Sequence, residues 1–296
     1  MDLRVLKYFV TVAHEECITT AADKLKLTQP TLSRQLKELE NEFGTQLFIR
    51  GSRSRCITLT PKGIILKRRA EELLALAEKT CQELSADPEI SGTVYMGLAE
   101  TQAVRSIGRA CRLVREKYPK VDFNLYSSDS CEVREGLEKG VLDFGLFCVE
   151  TELKDYETLK IPYKNHWGVY VRHDSPLSRL KKVRPEDLVN TPLMLSAQGG
   201  SRKIISQWFG SLWDSVNIAA WFNLIYNSSE MAKEGLGAVI GFEGLVNTDD
   251  GCLKFIPMDP DLPVSNILAW CKNSALSQSA SVFLETLRKV LGDEID

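Results

Sequence analysis

The sequence predicts an α/β chain in three parts: a winged helix-turn-helix over residues 1–60, a long linker helix over 61–89, and a two-lobed α/β portion over 90–296. Three observations carry this. Apolar stripes at helical spacing fill the first 45 or so residues. Apolar positions spaced alternately by four and three follow Pro61. Beyond Thr93, strand-like and helix-like segments alternate.

Leu6, Phe9, Val10 and Ala13 follow the spacing of a helix with one buried face. A second short helix fits Thr19 to Lys26, with Ala21, Ala22 and Leu25 inward, and its paired alanines let another helix come close. Thr28 reads as the N-cap of a third helix, and Pro30 suits a first turn whose amides lack helical partners. Leu32, Leu36, Leu39 and Phe43 form its buried stripe, and Gly44 ends it. The opposite face carries Gln29, Pro30, Ser33, Arg34 and Lys37. Two helices across a tight turn with a polar, basic outer face make a helix-turn-helix. Leu47 to Arg50 and Cys56 to Leu59 read as strands around Gly51–Arg55, a wing with arginines at its tip.

Residues 24–69 hold eleven Lys/Arg against three acids, a net of +8 in a chain whose total is −3. Positive charge gathered on one small helical module suits a polyanion. An isolated charged pair on a helix is ordinarily only solvated. Here Gln29 and Ser33 share a face with Arg34 and Lys37, directly after the turn. Gln pairs bidentately with adenine and Arg with guanine in a major groove. A wing arginine enters a narrow minor groove or holds phosphate. The expected contacts to double-stranded DNA are Thr28, Gln29, Pro30, Thr31, Ser33, Arg34, Lys37, Arg50, Arg53 and Arg55.

Thr60-Pro61 opens the next helix as N-cap and first residue. Leu66, Ala70, Leu73, Ala77, Thr80 and Leu84 then make a heptad seam, which predicts pairing with a second copy; packing onto its own domain is the plainer alternative. Ala86-Asp87-Pro88-Glu89 breaks the helix, and Ser91-Gly92 reads as a hinge.

From Thr93 the strands Val94–Leu98, Val121–Leu125 and Asp143–Phe147 alternate with helices near 103–118 and 132–138. A second set starts near Trp167–Val171 and runs through Leu193–Leu195, a helix after Ser201, Ala219–Phe222 and on to Ile240. Ile267–Trp270 and a last helix with Val282, Leu287 and Val290 return to the first set. This order predicts parallel sheets covered on both faces, with lobe I near 90–161 and 266–296 and lobe II near 162–265. Ligands of open α/β sheets bind beyond the carboxyl ends of the strands, so a cleft between the lobes is expected.

Hydrophobic content of 44% and charged content of 26% are those of a globular protein. No apolar run reaches eighteen residues, and Met1-Asp2-Leu3-Arg4 does not open a signal peptide, so a cytoplasmic location is expected. The eight cysteines form no CxxC pair, so neither a zinc site nor a disulfide framework is indicated, although a redox pair distant in sequence stays open. There is no Gly-x-Ser-x-Gly, Walker or His-Glu-x-x-His motif, and His14, His166 and His173 are scattered. The expectation is a protein without catalytic residues, metal or cofactor.

The chain resembles the LysR-type transcriptional regulators. The resemblance rests on Leu6…Phe9, Ala21-Ala22…Leu25, Thr28-Gln29-Pro30-Thr31-Leu32-Ser33, Leu36…Leu39-Glu40, Gly44…Leu47-Phe48, Arg50 and Leu59-Thr60-Pro61…Gly63. Weaker pieces follow in Gly140–Leu146, Glu186-Asp187-Leu188 and Gly235-Leu236-Gly237. Thr31 departs from the smaller residue usual there. The resemblance implies a DNA-binding regulator with paired winged helices, a homodimer or a homotetramer built from dimers. It also implies a periplasmic-binding-protein-like domain that senses a small molecule. A solute-binding protein or an enzyme using the cleft is the alternative, opposed by the basic winged helix and the missing catalytic motifs.

Effector contacts are expected at strand-to-helix junctions: Thr101 and Gln102 in Glu100-Thr101-Gln102, and Ser196, Gln198 and Ser201 in the run ending Gly199-Gly200-Ser201. Phe147 and Trp221 are expected as apolar walls and Asn223 as a polar contact. Free amides at a helix start, with Arg202 and Lys203 nearby, predict a small organic anion. Helix capping is the alternative role for these hydroxyls and amides.

Overall fold

The computed structural model describes residues 1–50, 57–84, 89–148, 153–272 and 275–293. The wing tip with Arg53 and Arg55, and the helix break at 86–88, lie outside the described residues. The chain divides into two units, Met1–Ala86 and Asp87–Asp296.

In the first unit, α1 (Leu3–Glu15) starts where Asp2 accepts the Arg4 N–H at 2.7 Å, and it buries Leu6, Phe9 and Val12. Helix α2 (Ile18–Lys24) buries Ala21 and Ala22 against it. Helix α3 (Gln29–Phe43) has Pro30 in its first turn and ends at Gly44, whose φ of 60° is left-handed. Thr28 occupies the N-cap position, but its hydroxyl pairs with that of Thr31 at 2.8 Å and caps nothing. Strands β1 (Phe48–Arg50) and β2 (Ile57–Leu59) form an antiparallel hairpin. Glu40 accepts the backbone N–H groups of Leu47 (2.8 Å) and Phe48 (3.2 Å), which ties the hairpin to α3.

Helix α4 (Pro61–Leu84) begins at Thr60, whose hydroxyl accepts the Gly63 N–H at 3.0 Å. Gly63 is required by closeness: a Cβ there would stand 2.1 Å from the Leu47 carbonyl oxygen. The expected seam of α4 is divided. Leu66 and Ala70 pack into the core of their own unit, together with Leu74. Leu73 and Leu76 are 39% and 41% exposed, and Ile65 is 60% exposed. The first two seam positions therefore serve the fold of the unit, because α4 must cover the apolar edge left by α1 and the hairpin.

The second unit contains β3 (Gly92–Leu98), α5 (Val104–Lys117), β4 (Val121–Ser127), α6 (Ser130–Glu138), β5 (Phe144–Phe147) and the 17-residue β6 (Tyr156–Arg172). It continues with α7 (Pro185–Leu188), β7 (Leu193–Ser196), α8 (Gly199–Phe209), β8 (Ile218–Phe222), α9 (Ile225–Lys233), β9 (Ala238–Phe242), β10 (Leu253–Pro257), β11 (Pro263–Cys271) and α10 (Gln278–Asp293). The sheet order is β4-β3-β5-β11-β6-β9-β7-β8, with β10 also on β6. The fully parallel sheets expected from the sequence are not formed. β3 pairs parallel with β4 and β5, and β7 with β8 and β9. β6 and β11 run antiparallel to each other and to their other neighbours. The physical reason is that the chain passes from one lobe to the other and back along these two strands, in opposite directions.

Each lobe has its own core. One gathers Val94, Met96, Phe144, Leu268 and Phe283 under α5 and α10. The other gathers Val169, Leu193, Leu195, Ile205 and Ile240. Side chains of this size contribute roughly 1.5–3 kcal/mol each when fully buried. Between the cores, the β6–β11 register shifts at Ser265/Asn266. There Asn266 donates to the Tyr163 carbonyl (2.7 Å) and accepts from Asn165 (2.9 Å).

Candidate functional site

The outer face of α3 is built by its inner one. Leu32, Leu36 and Leu39 are buried, which turns Gln29, Pro30, Thr31, Arg34 and Lys37 to the exposed side, with Ser33 half-buried. Gln29 donates to Ser33 at 3.0 Å, and Arg34, 73% exposed, lies 3.5 Å from Glu38 on the next turn. Thr28 is exposed at the head of this face. Arg50 ends β1. The sequence thus turns a donor-rich row outward on a helix whose stability comes from the other side.

In the second unit, a narrow cavity opens at the carboxyl ends of β3, β7 and β8. Its lining includes Glu100, Ser130, Cys148, Trp167, Ser196, Gln198, Gly200, Ser201, Phe222, Asn223, Ile225 and Phe242. Its free volume is about 60 Å³, space for a few water-sized groups. Helix α8 begins here without a side-chain cap, and the first amide to bond back is Arg202 N–H, to the Gln198 carbonyl at 2.9 Å. The preceding amides therefore belong to the unsatisfied donors of a helix start. Ser201 is only 7% exposed. Trp167 is 3% exposed, and its buried indole Nε1 has no hydrogen-bond acceptor among the described residues.

Glu100 approaches from the end of β3. Its Oε2 accepts the Ile225 N–H at 2.8 Å, at the first residue of α9. Burial raises the Glu100 carboxyl above its ordinary range, and the Ile225 bond offsets part of that rise. Burial also pushes the Cys148 thiol up to about 12, so this cavity cysteine is a neutral thiol and not a reactive thiolate.

Of the residues expected from the sequence, Ser196, Gln198, Ser201 and Asn223 meet at the cavity. Thr101 does not line it: its buried hydroxyl donates to Asn165 at 2.6 Å and accepts from the Ala103 N–H at 3.1 Å. Gln102 packs against Gly244, where a Cβ would fall 1.4 Å from its amide nitrogen. Phe147 packs with Val133 and Leu137 beneath α6, and the next residue, Cys148, reaches the cavity. Trp221 is 43% exposed under the Arg202 guanidinium, 5.0 Å from the ring centre, while its neighbour Phe222 lines the cavity. Both aromatic expectations are thus one residue from the lining position, on strands whose successive side chains point to opposite faces. Arg202 borders a smaller enclosed space behind Ser201, and Lys203 is exposed. Trp167 is a lining residue that sequence reasoning missed, while Glu100 was expected only as part of its junction. Glu100 stood in the first junction, and Trp167 opened the second strand set, but neither carried a local sign of its role.

Two family patterns match the chain. "Bacterial regulatory helix-turn-helix protein, lysR family" covers residues 3–64, and "LysR substrate binding domain" covers residues 88–292. The chain belongs to the LysR family of DNA-binding transcriptional regulators, with a helix-turn-helix part and an effector-binding part. It is 38% identical over 144 residues to the HTH-type transcriptional regulator BsdA of Bacillus subtilis (strain 168), a match covering 48% of this chain and 49% of that one. Against YvbU of the same organism, an HTH-type transcriptional regulator, identity is 27% over 99% of this chain and 100% of the other. Among solved structures, HinK, a LysR family transcriptional regulator from Pseudomonas aeruginosa, superposes with a TM-score of 0.58 at 27% identity, covering 99% of both chains.

Proposed function

We propose that this regulator holds DNA through the outer face of α3 and the wing arginines, and that its activity answers to a small organic anion bound at the start of α8. Thr28, Gln29, Pro30, Thr31, Ser33, Arg34 and Lys37 would meet the major groove, and Arg50, Arg53 and Arg55 the flanking backbone or minor groove. The single observation that carries the anion reading is the uncapped start of α8, which brings the Gly200 amide and the buried Ser201 to the wall of a cavity that Trp167 also lines. A buried donor left unpaired costs about 1–3 kcal/mol, and a carboxylate oxygen would remove that cost. Self-association would use the exposed stripe of α4 at Ile65, Leu73 and Leu76. The reading assigns a cytoplasmic location and no turnover of its own, which fits the transcriptional regulators it is similar to.

Titration calorimetry on the full chain with acetate, propionate, sulfate and phosphate tests the anion site. Binding of at least one anion is expected, weakened at least tenfold in Ser201→Ala and Trp167→Phe. Anion binding that is unchanged in both variants overturns the site, and so does binding only of compounds that carry no anionic group.

A further inference from the structure

We propose that the cavity takes a small zwitterion, with its carboxylate at the start of α8 and its protonated amine on Glu100, as a small α-amino acid would present them. This deepens the anion reading above and rests on it.

The cavity lining is chemically lopsided. On the α8 side stand donors: the uncapped helix amides and the Ser201 hydroxyl. On the β3 side stands Glu100, and among the described residues it is the one carboxylate in the lining and no lysine or arginine lines the cavity with it. Arg202 lies over the exposed Trp221 ring instead. Among the described residues, Ile225 N–H is the sole hydrogen-bond donor to the Glu100 carboxylate, through Oε2, so Oε1 keeps its acceptor capacity. A carboxylate withdrawn from water needs donors or a countercharge. The bond to Ile225 provides one donor and no countercharge.

A simple monocarboxylate would sit at the α8 amides and bring a second negative charge into a narrow space beside Glu100. Like charges at short range in a poorly solvated site repel strongly. A ligand with an ammonium group a few ångströms from its carboxylate turns that repulsion into attraction. The narrow cavity suits a small ligand such as glycine, alanine or serine. The two halves of this site come from different lobes: Glu100 follows β3, and α8 follows β7. A bridging zwitterion would therefore favour one lobe angle over others.

The test is titration calorimetry on the full chain at neutral pH with glycine, L-alanine and L-serine. Acetate, propionate and 3-hydroxypropionate serve as deaminated partners, and ethylamine and ethanolamine as amines without a carboxylate. At least one amino acid should bind at least tenfold more tightly than its deaminated partner and than either amine. Glu100→Gln keeps an oxygen for the Ile225 N–H and should abolish the preference over the deaminated acid, leaving that acid bound as well or better. Ser201→Ala should weaken amino acid and acid together. Acids that bind as tightly as the amino acids overturn the zwitterion while leaving the anion site intact. A preference that survives in Glu100→Gln overturns it as well. Failure of every carboxylate to bind overturns both readings. A thermal melt of each variant confirms folding, and Glu100→Asp, which keeps the charge, should retain part of the preference.

Discussion

The carboxylate of Glu100 accepts the backbone N–H of Ile225 at 2.8 Å across 125 residues of chain. Leu224, the N-cap of α9, offers no side-chain cap, so the first helix turn of one lobe is capped by the strand end of the other. The bond links the two lobes at the cavity and holds the half-buried carboxylate in place.

Burial raises the Glu100 carboxyl above its ordinary value of 4.5. The protonated form is therefore favoured in the folded chain, and ionisation costs stability. Below pH 4.5 the group is protonated in both states and costs nothing; as pH rises through the folded value the cost appears in full. Glu100→Gln should melt higher than the parent at pH 7, with the advantage shrinking to nothing as pH falls below 4.5. Melting curves across pH 4–8 check this. An advantage equal at every pH would mean that charge burial is not its source.

Asn266 joins both crossover strands: it accepts from Asn165, donates to the Tyr163 carbonyl, and sits at the register shift. Asn266→Ala should destabilise the second unit by about 1–3 kcal/mol, because Asn165 then keeps a buried donor without its partner. Denaturant unfolding of the parent and variant would measure the loss.

Gly63 has no room for a methyl group, since the Leu47 carbonyl oxygen lies 2.1 Å from the ideal Cβ position. Helix α4 would have to move off the hairpin. Gly63→Ala should cost about 1–3 kcal/mol or more in the first unit, as overpacking does. Unchanged hydrogen exchange in α4 and the hairpin would contradict the close approach.

Leu73 is exposed on the stripe of α4 that its own core does not use. Leu73→Asp should leave the fold intact and lower self-association, because a charge placed in an apolar interface loses burial and finds no partner. Sedimentation velocity over a concentration series measures it. Leu66→Asp should instead unfold the first unit, since Leu66 packs against that unit's core.

Arg34 is 73% exposed and, among the described residues, pairs only with Glu38 on the next turn of its own helix. Arg34→Ala should cost about 1–3 kcal/mol at a cognate site if the guanidinium reads a base edge, and much less on random DNA. Equal losses on both, in fluorescence anisotropy at fixed salt, would assign it to phosphate instead.

The winged helix-turn-helix was legible because its signals are local. Leu32, Leu36 and Leu39 lie on one face of one helix, so periodicity alone settles which way Arg34 and Lys37 point. The position of Gly44 after Phe43 predicts a stop whatever the surroundings. The same logic placed the junction at Gly199-Gly200-Ser201 to within a turn: the glycines are the first residues of α8, not residues before it.

What only the tertiary structure decided depends on pairings between distant segments. The antiparallel course of β6 and β11 follows from how two crossovers share a sheet, and no single strand records its partner's direction. Phe147 and Trp221 missed the cavity by one residue, because both faces of an interior strand can be apolar and alternation then carries no information about which face meets the cleft. Thr101 turned inward because Asn165, 64 residues away, accepts its hydroxyl. Glu100 and the buried indole nitrogen of Trp167 acquired their roles only when β3, β6 and the starts of α8 and α9 were brought to one place. The sequence determined which segments fold and which faces they bury, since those are properties of neighbours along the chain. The chemistry of the cavity is set by residues that become neighbours only in space.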